Sequence, residues 1–439
     1  MSPLTVGFIG LAAILVLVAL RMPIGAALAL VAVLGLAKVA GWSVVMSLAG
    51  SLPYEFGTTW ELSAVPMFLL MGALAFRSGL TDPLFQALRM WLRGLPGGLA
   101  VATNFACAIF AAACGSSVAT TVAMGRIAIP EMLKSGYNPG LAAAVCACAG
   151  TLGSMIPPSV MMILYGAFTG QSVAAIFLAG VLPGLLTAAV YAVMIVTRAM
   201  IDPKLAPMGK EHYTRRDKFL ALKRAWALPL LVVMVIGSIY GGVATPTEAG
   251  AFGAFCAFAL AVWAGGMSRK VLWEGVAEAL HGTATIFFVA LGAVLLTRFM
   301  ALSGVPDFVA ETISRNAVGP IALIIGASVV YLILGCFLEP ISIMLLTLPI
   351  LIPALQNLGV NLIWFGILVV KLLEIGLITP PVGLNVFAAK ALVGDRISLE
   401  QIFAGVGWFL VCELVVLSLL VAYPEISLYL PRAMGLMKF

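Results

Sequence analysis

The sequence predicts an all-α polytopic membrane protein: an inverted-repeat transporter with about ten transmembrane spans, two re-entrant hairpins and two broken helices. Three observations lead there. Of the 439 residues, 63% are hydrophobic and only 10% charged, and apolar runs long enough to cross a bilayer recur along the chain. Small polar clusters, Ala113–Thr120 and Gly153–Ser159, interrupt those runs where lipid offers the backbone no hydrogen-bond partner. Prolines also recur at one offset: Pro23 and Pro246, Pro130 and Pro353, and Pro157 and Pro380 are each 223 residues apart.

Leu4–Leu20 reads as the first span, since it lacks the basic start and small-residue cleavage site of a signal peptide. Ile24–Ala40 is the second. Trp42–Glu55 is too polar to span. Its Ser47, Ser51 and Glu55 share one helical face, the pattern of a helix lying on the membrane surface. Trp60–Phe76 spans next, and Asp82–Arg93 repeats the surface pattern, with Thr81 or Asp82 placed to cap it. Residues 97–133 hold two half-length apolar arms around Gly115-Ser116-Ser117, a re-entrant hairpin. Residues 140–169 form one helix broken at Pro157-Pro158, because a proline pair removes two donors and clashes with carbonyls one turn earlier. Val173–Thr197 spans again.

Residues 198–224 form a polar loop with eight basic residues (Arg198, Lys204, Lys210, Arg215, Arg216, Lys218, Lys223 and Arg224). The positive-inside bias puts this loop in the cytoplasm and, counting spans backward, the N-terminus outside. The second half restates the first. Scaffold helices occupy 224–300, with Arg269–Leu280 as a surface helix before a span at Thr283–Met300. A second hairpin occupies 319–356 with tip Leu338-Glu339-Pro340, and 361–392 is broken at Thr379–Gly383. Leu399–Val421 is the last span. Repeats 1–223 (with scaffold helices in 1–80) and 224–439 each contain five spans and one hairpin, and an odd number inverts the second copy.

The net charge of +6 is explained by the basic loops rather than by nucleic acid. The seven cysteines all fall in apolar segments without zinc or redox spacing, and the two histidines, His212 and His281, form no metal motif. No phosphate-binding G-x-x-x-x-G-K-[ST] loop is present, which argues against ATP-driven pumping by this chain.

Five stretches resemble one known family. They are Ala113–Thr121, Ile129-Pro130-Glu131-Met132 with Gly136-Tyr137, Ile156–Ser159, Glu339-Pro340 with Leu348-Pro349, and Ile378–Asn385. The chain is similar, end to end, to the large membrane subunit of tripartite ATP-independent periplasmic (TRAP) transporters, the DctM or SiaM type. The resemblance implies a sodium-driven importer of small organic acids, such as C4-dicarboxylates or sialic acid, in the bacterial inner membrane. It also implies an elevator-type moving domain, a small membrane subunit of the DctQ or SiaQ type, and a soluble periplasmic substrate-binding protein. Because the sequence opens directly on the large-subunit part, the small subunit is expected to be a separate polypeptide.

Sodium prefers oxygen ligands. One site is expected between Gly115, Ser116, Ser117 and Gly153, Ser154, Pro157, and a related one between Gly335, Glu339 and Thr379, Pro380, Gly383. Half-helix N-termini favour an anion, so Ser116, Ser117, Pro158, Ser159, Pro340, Pro381 and Asn385 are expected at the substrate carboxylate. Asn385 could equally tie the break together, and Glu339 could ligate a cation or cap the helix that Pro340 starts. Arg126 and Arg298 lie near span ends where they can snorkel, and Lys371 and Glu374 are spaced to pair on one helix. Three other readings remain open. A passive channel would conduct without sodium. A membrane enzyme would need an acidic or nucleophilic cluster that the sequence does not offer. A solitary sodium/carboxylate symporter would share the plan but need no binding protein.

Overall fold

The computed structural model describes residues 1–209 and 213–437; Lys210 and His212 lie outside them. Among the described residues every regular element is helical. The first half comprises α1 (Pro3–Ala19), α2 (Ile24–Ala40), α3 (Trp42–Gly57), a 3-10 turn at Trp60–Ser63, α4 (Ala64–Arg77) and α5 (Thr81–Leu92). It continues with α6 (Gly98–Cys114), α7 (Ser117–Lys134), α8 (Pro139–Met155), α9 (Val160–Thr169) and α10 (Val173–Ile201). After α11 (Arg215–Arg224) come α12 (Ala227–Tyr240), α13 (Pro246–Trp263), α14 (Arg269–Ser303) and α15 (Val305–Arg315). The chain closes with α16 (Pro320–Gly335), α17 (Pro340–Asn357), α18 (Leu362–Gly376), α19 (Leu384–Val393), α20 (Leu399–Ala422) and α21 (Glu425–Ala433).

The repeat visible in the prolines is visible in the elements. Helices α6 to α9 begin at residues 98, 117, 139 and 160, and α16 to α19 at 320, 340, 362 and 384, offsets of 222 to 224. Among the described residues seven helical stretches are long and apolar enough to cross a membrane, and the α11–α12 pair, bent by 50°, makes an eighth if it is one span. Helices α1, α2, α6 and α16 are apolar but shorter, at 16 or 17 residues.

Helix starts follow side chains that can accept from the first free N–H groups. Asn138, Ser172, Asn361 and Ser398 cap α8, α10, α18 and α20 in this way. Thr214 and Asp217 form a reciprocal capping box on α11, and the hydrogen bonds from Thr214 hold the Asp217 carboxyl below its ordinary range. The expected cap on α5 is absent: Leu80 is already helical there, so neither Thr81 nor Asp82 stands in the extended position a cap needs. Nor does a break separate Arg269–Leu280 from the following span. Helix α14 runs unbroken for 35 residues, whereas the corresponding first-half stretch splits into α3, the 3-10 turn and α4. The Gly57-Thr58-Thr59 run interrupts the first copy, four residues after Pro53, which α3 still contains. The second carries only Gly282 at that point, and one glycine costs a helix about 1 kcal/mol, too little to stop it.

The core is made by the two broken helices. Every residue of α8 from Gly140 to Met155 is buried, as is every residue of α18 from Leu362 to Gly376, and the two helices touch each other. Small residues let neighbours reach α8. At Gly150 an added Cβ would fall 1.9 Å from Thr121 Oγ1 of α7, and at Gly140 it would fall 2.3 Å from the Gln401 carbonyl oxygen of α20. The hairpin tip is also in close contact with α4, where a Cβ on Gly72 would lie 2.8 Å from Cys114 Cα. Ion pairs tie the amphipathic helices to their neighbours: Arg89 of α5 lies 2.6 Å from Glu131 of α7, and Arg77 of α4 bonds both Glu274 and Glu278 of α14.

The Gly140 approach is to main chain, which cannot swing aside. Gly140→Val should therefore destabilise the purified protein by about 1–3 kcal/mol, the usual range for overpacking. A thermal melt reads this directly, and an unchanged melting temperature would mean α8 and α20 are not packed in this register.

Candidate functional site

The first tip and the first break are built against each other. Gly115 ends α6 in the left-handed region, φ +65°, where glycine has no steric penalty. A Cβ there would also meet the Pro158 carbonyl oxygen at 2.8 Å. The Gly115 carbonyl accepts from the Val160 N–H of α9 at 3.3 Å, so the hairpin closes one end of the break. Ser117 Oγ lies 2.6 Å from Ser154 Oγ and donates to the Thr151 carbonyl at 3.2 Å. Gly153 is needed alongside, because a Cβ would reach the Ser116 carbonyl oxygen at 2.6 Å. The Pro157-Pro158 peptide is cis, and the whole of Thr151–Val160 is buried.

The expected residues Gly115, Ser116, Ser117, Gly153, Ser154, Pro157, Pro158 and Ser159 are thus gathered in one place. Their hydrogen bonding is not uniform. Ser117 and Ser154 satisfy each other, whereas the buried hydroxyl of Ser159 has no hydrogen-bond partner. Thr121, which sequence reasoning passed over, also carries a buried hydroxyl without a partner. Unsatisfied buried hydroxyls are uncommon, and both are hard oxygens of the kind sodium takes. Ser116 opens α7 in extended conformation and, with Cys114, Val118 and Val122, lines a cavity of about 330 Å³ against Phe76 and Glu278.

The second tip and break repeat the plan with looser contact. Gly335 of α16 and Gly376 of α18 meet backbone to backbone, an added Cβ on the first falling 2.9 Å from the Cα of the second. Glu339 occupies the cap position of α17 with Pro340 after it, but makes no capping bond; its Oε1 accepts from Ser342 Oγ at 2.6 Å. Thr379 Oγ1 donates to the Ile375 carbonyl at 2.6 Å. Among the described residues no hydrogen bond joins Glu339 to Thr379. Gly383 starts α19 at φ +60°, the Pro380-Pro381 peptide is cis, and both prolines are exposed.

Asn385 does more than tie its own break. Its backbone N–H donates to the Leu377 carbonyl at 3.0 Å, and its Nδ2 donates to the Ala147 carbonyl of α8 at 3.1 Å. The second break is therefore bonded to the first repeat, and the buried Oδ1 of Asn385 is left without a partner. Lys371 and Glu374 do pair, at 3.1 Å, but within a larger buried group containing Glu413. That carboxylate stands in the apolar interior of α20, the signal that could have found it. Arg126 lies exposed over the Phe76 ring, 5.9 Å from its centroid, and Arg298 is exposed in a cavity of about 380 Å³ with Glu55 and Phe168.

A helical membrane protein that gathers hydroxyls and free carbonyls where hairpin tips meet broken helices is built as a transporter. Comparison with known proteins agrees. Residues 11–426 match the family described as "Tripartite ATP-independent periplasmic transporter, DctM component", and the chain belongs to that family. It is 37% identical to a Pseudomonas aeruginosa C4-dicarboxylate TRAP transporter large permease protein, DctM, covering 89% of this chain and 91% of the relative. It is 31% identical to a Vibrio cholerae sialic acid TRAP transporter large permease protein, SiaM, covering 85% and 86%. An Oleidesulfovibrio alaskensis isethionate TRAP transporter permease protein, DctMQ, is 31% identical over 98% of this chain and 66% of its own length. A crystal structure of the Alcanivorax borkumensis YdaH transporter shares the fold, with TM-score 0.62 and 15% identity over 89% of this chain and 90% of that one. The protein is a multi-pass transporter subunit rather than an enzyme.

The Ser117–Ser154 contact makes a separable prediction. Removing Ser117 strands the Ser154 hydroxyl in a dry site, so Ser117→Ala should cost about 1–3 kcal/mol, whereas Ser154→Ala leaves Ser117 its bond to the Thr151 carbonyl and should cost less. The double variant should lose less than the sum of the two. Melting temperatures of the four proteins give the coupling, and strict additivity would show that the two hydroxyls do not interact.

Proposed function

We propose that this chain is the large transmembrane subunit of a sodium-coupled, binding-protein-dependent TRAP importer of small organic acids. The observation that carries the proposal is the joint between the first tip and the first break. There a left-handed glycine, a cis proline pair and buried hydroxyls meet in one dry place, with Ser159 and Thr121 left without partners. Sodium would be held by such oxygens, with Gly115, Ser116, Ser117, Gly153, Ser154 and Pro157 in the first repeat and Gly335, Glu339, Thr379, Pro380 and Gly383 in the second. The substrate carboxylate would meet the starts of α7, α9, α17 and α19, through Ser116, Ser117, Pro158, Ser159, Pro340, Pro381 and Asn385. Helix starts favour an anion by about 0.3–1 kcal/mol each when exposed and by more when dry.

The relatives named for C4-dicarboxylates, sialic acid and isethionate support an anionic organic substrate. Membership of a tripartite family supports two partners, a small membrane subunit and a periplasmic substrate-binding protein. We place the protein in the bacterial inner membrane with the N-terminus periplasmic and the basic loop of residues 198–224 cytoplasmic, from the positive-inside bias. The two repeats, 1–223 and 224–439, would be inverted. Their hairpins and broken helices would move as one body against a scaffold of α1–α4 and α12–α14. Amphipathic α3, α5, α15 and the start of α14 would be the arms.

The test is uptake of labelled organic acids in proteoliposomes holding this chain and its small subunit, with or without an inward sodium gradient and a periplasmic binding protein. Uptake should require both. Uptake driven by sodium without the binding protein would favour a solitary symporter, and flux without sodium would overturn the coupling. In the same assay Ser116→Ala combined with Ser117→Ala should weaken sodium activation severalfold while the complex still assembles; an unchanged sodium curve would remove the first site.

A further inference from the structure

Outside the two tip–break joints lies a buried charged cluster that transport chemistry has not yet used. Lys371 and Glu374 of α18 and Glu413 of α20 are each 0% exposed. Lys371 Nζ is 2.6 Å from Glu413 Oε2, 3.1 Å from Glu374 Oε2 and 3.0 Å from Thr187 Oγ1 of α10. Tyr191 of α10 donates its hydroxyl to Glu413 Oε1. The other oxygen of Glu374, Oε1, makes no hydrogen bond of ordinary geometry, and the carboxyl lies against the backbone of Met155, the last residue of α8.

Among the described residues, the ionisable groups around this cluster do not balance it. Besides Tyr191, it is faced by the thiols of Cys148 from α8 and Cys412 from α20. Glu425 and Arg432 of α21 pair with each other at the surface. Tyr165 of α9 is bonded to the Leu362 carbonyl, Tyr331 of α16 to Thr347 of α17, and Glu339 of α17 to Ser342. One ammonium therefore faces two carboxyls in a space sealed from water. With both carboxyls ionised the cluster would carry an uncompensated negative charge, which burial strongly disfavours. The two carboxyls are not equivalent. Glu413 has the shorter contact with Lys371 and accepts from the phenol of Tyr191, the environment of an anion, whereas Glu374 has the longer contact with Lys371 and no phenol.

We propose that Lys371, Glu374 and Glu413 form a buried proton-binding site, in which Glu413 is the ionised partner of Lys371 and Glu374 is the carboxyl that holds the proton. The bound species is a proton, and the site is distinct from the oxygens proposed for sodium. Its place gives it a voice in transport: Met155, which Glu374 faces, directly follows Ser154, the partner of Ser117 at the first joint. The proposal does not rest on sodium coupling and is tested without transport.

The experiment is infrared difference spectroscopy on the purified full chain, read at the carbonyl-stretch band of a protonated carboxylic acid. Surface carboxyls are ionised at about pH 7, so a band there reports a buried acid. The wild type should show the band and lose it as the pH is raised. Glu374→Gln should delete it and Glu374→Asp should shift it. Glu413→Gln should delete it too, because Glu374 must then ionise to face Lys371. Withdrawing the proton leaves two carboxylates against one ammonium. The melting temperature of the wild type should therefore fall from about pH 6 to about pH 9, more steeply than that of Glu374→Gln, which has no proton to lose. A wild type without the band at about pH 7, a band unchanged in Glu374→Gln, or equal pH slopes would each overturn the proposal. If Glu374→Gln does not fold, the wild-type band and its shift in Glu374→Asp decide alone.

Discussion

Lipid cannot hydrogen-bond to a free carbonyl or N–H, and the rest of this structure depends on that constraint. A helix broken inside the membrane must have its broken ends met by protein. At the first break this is done by the opposing hairpin: the Gly115 carbonyl takes the Val160 N–H, and Ser117 reaches across to Thr151 and Ser154. Each contact needs two backbones closer than ordinary side chains allow, which explains glycine at 115 and 153. An isolated broken helix would be intolerable in lipid. Paired with a hairpin it becomes a dry pocket of polar groups, which is what a transporter needs.

The same constraint acts on charge. Arg77, Arg89 and Arg93 lie on helices whose faces reach solvent, and the first two find carboxylates there. Lys371, Glu374 and Glu413 have no such exit and are held by one another, with Thr187 and Tyr191 completing the shell. Replacing such a group with apolar side chains is often neutral or stabilising, so stability alone is a weak reason for it to exist. Ionisable groups inside a membrane protein are functional by default, and this one binds together α10, α18 and α20 immediately beside the first joint.

Much of this was legible in the sequence because the signals were periodic or categorical. Length and apolarity marked the spans, prolines marked the breaks, and a constant offset exposed the duplication. The first tip and break were readable for the same reason: Gly115-Ser116-Ser117 and Gly153–Ser159 are unmistakable in apolar surroundings, and they do meet. What sequence could not supply was direction. Nothing in the one-dimensional pattern says that Ser117 faces Ser154 while Ser159 and Thr121 go without partners. Nor could the reach of Asn385 to Ala147, 238 residues away, be read from local spacing. Helix continuity was misjudged at α14, because the surface pattern of Lys270, Glu274 and Glu278 implies a boundary that only a strong breaker would enforce.

The two breaks look alike in sequence yet stand in unlike surroundings. Pro157 and Pro158 are enclosed, whereas Pro380 and Pro381 are exposed, so the repeats are copies in plan and not in environment. They are also not independent. Helix α8 holds the first tip through Ser154 and the second break through the Ala147 carbonyl, seven residues earlier. At 1.5 Å of rise per residue, those attachments lie about 10 Å apart along one helix axis. That helix is buried along its length, and its glycines admit α7 and α20 at backbone distance. Close-packed interiors respond to strain by moving together rather than by local yielding. The two tip–break joints are therefore bonded to one buried helix, α8, rather than being related only across lipid.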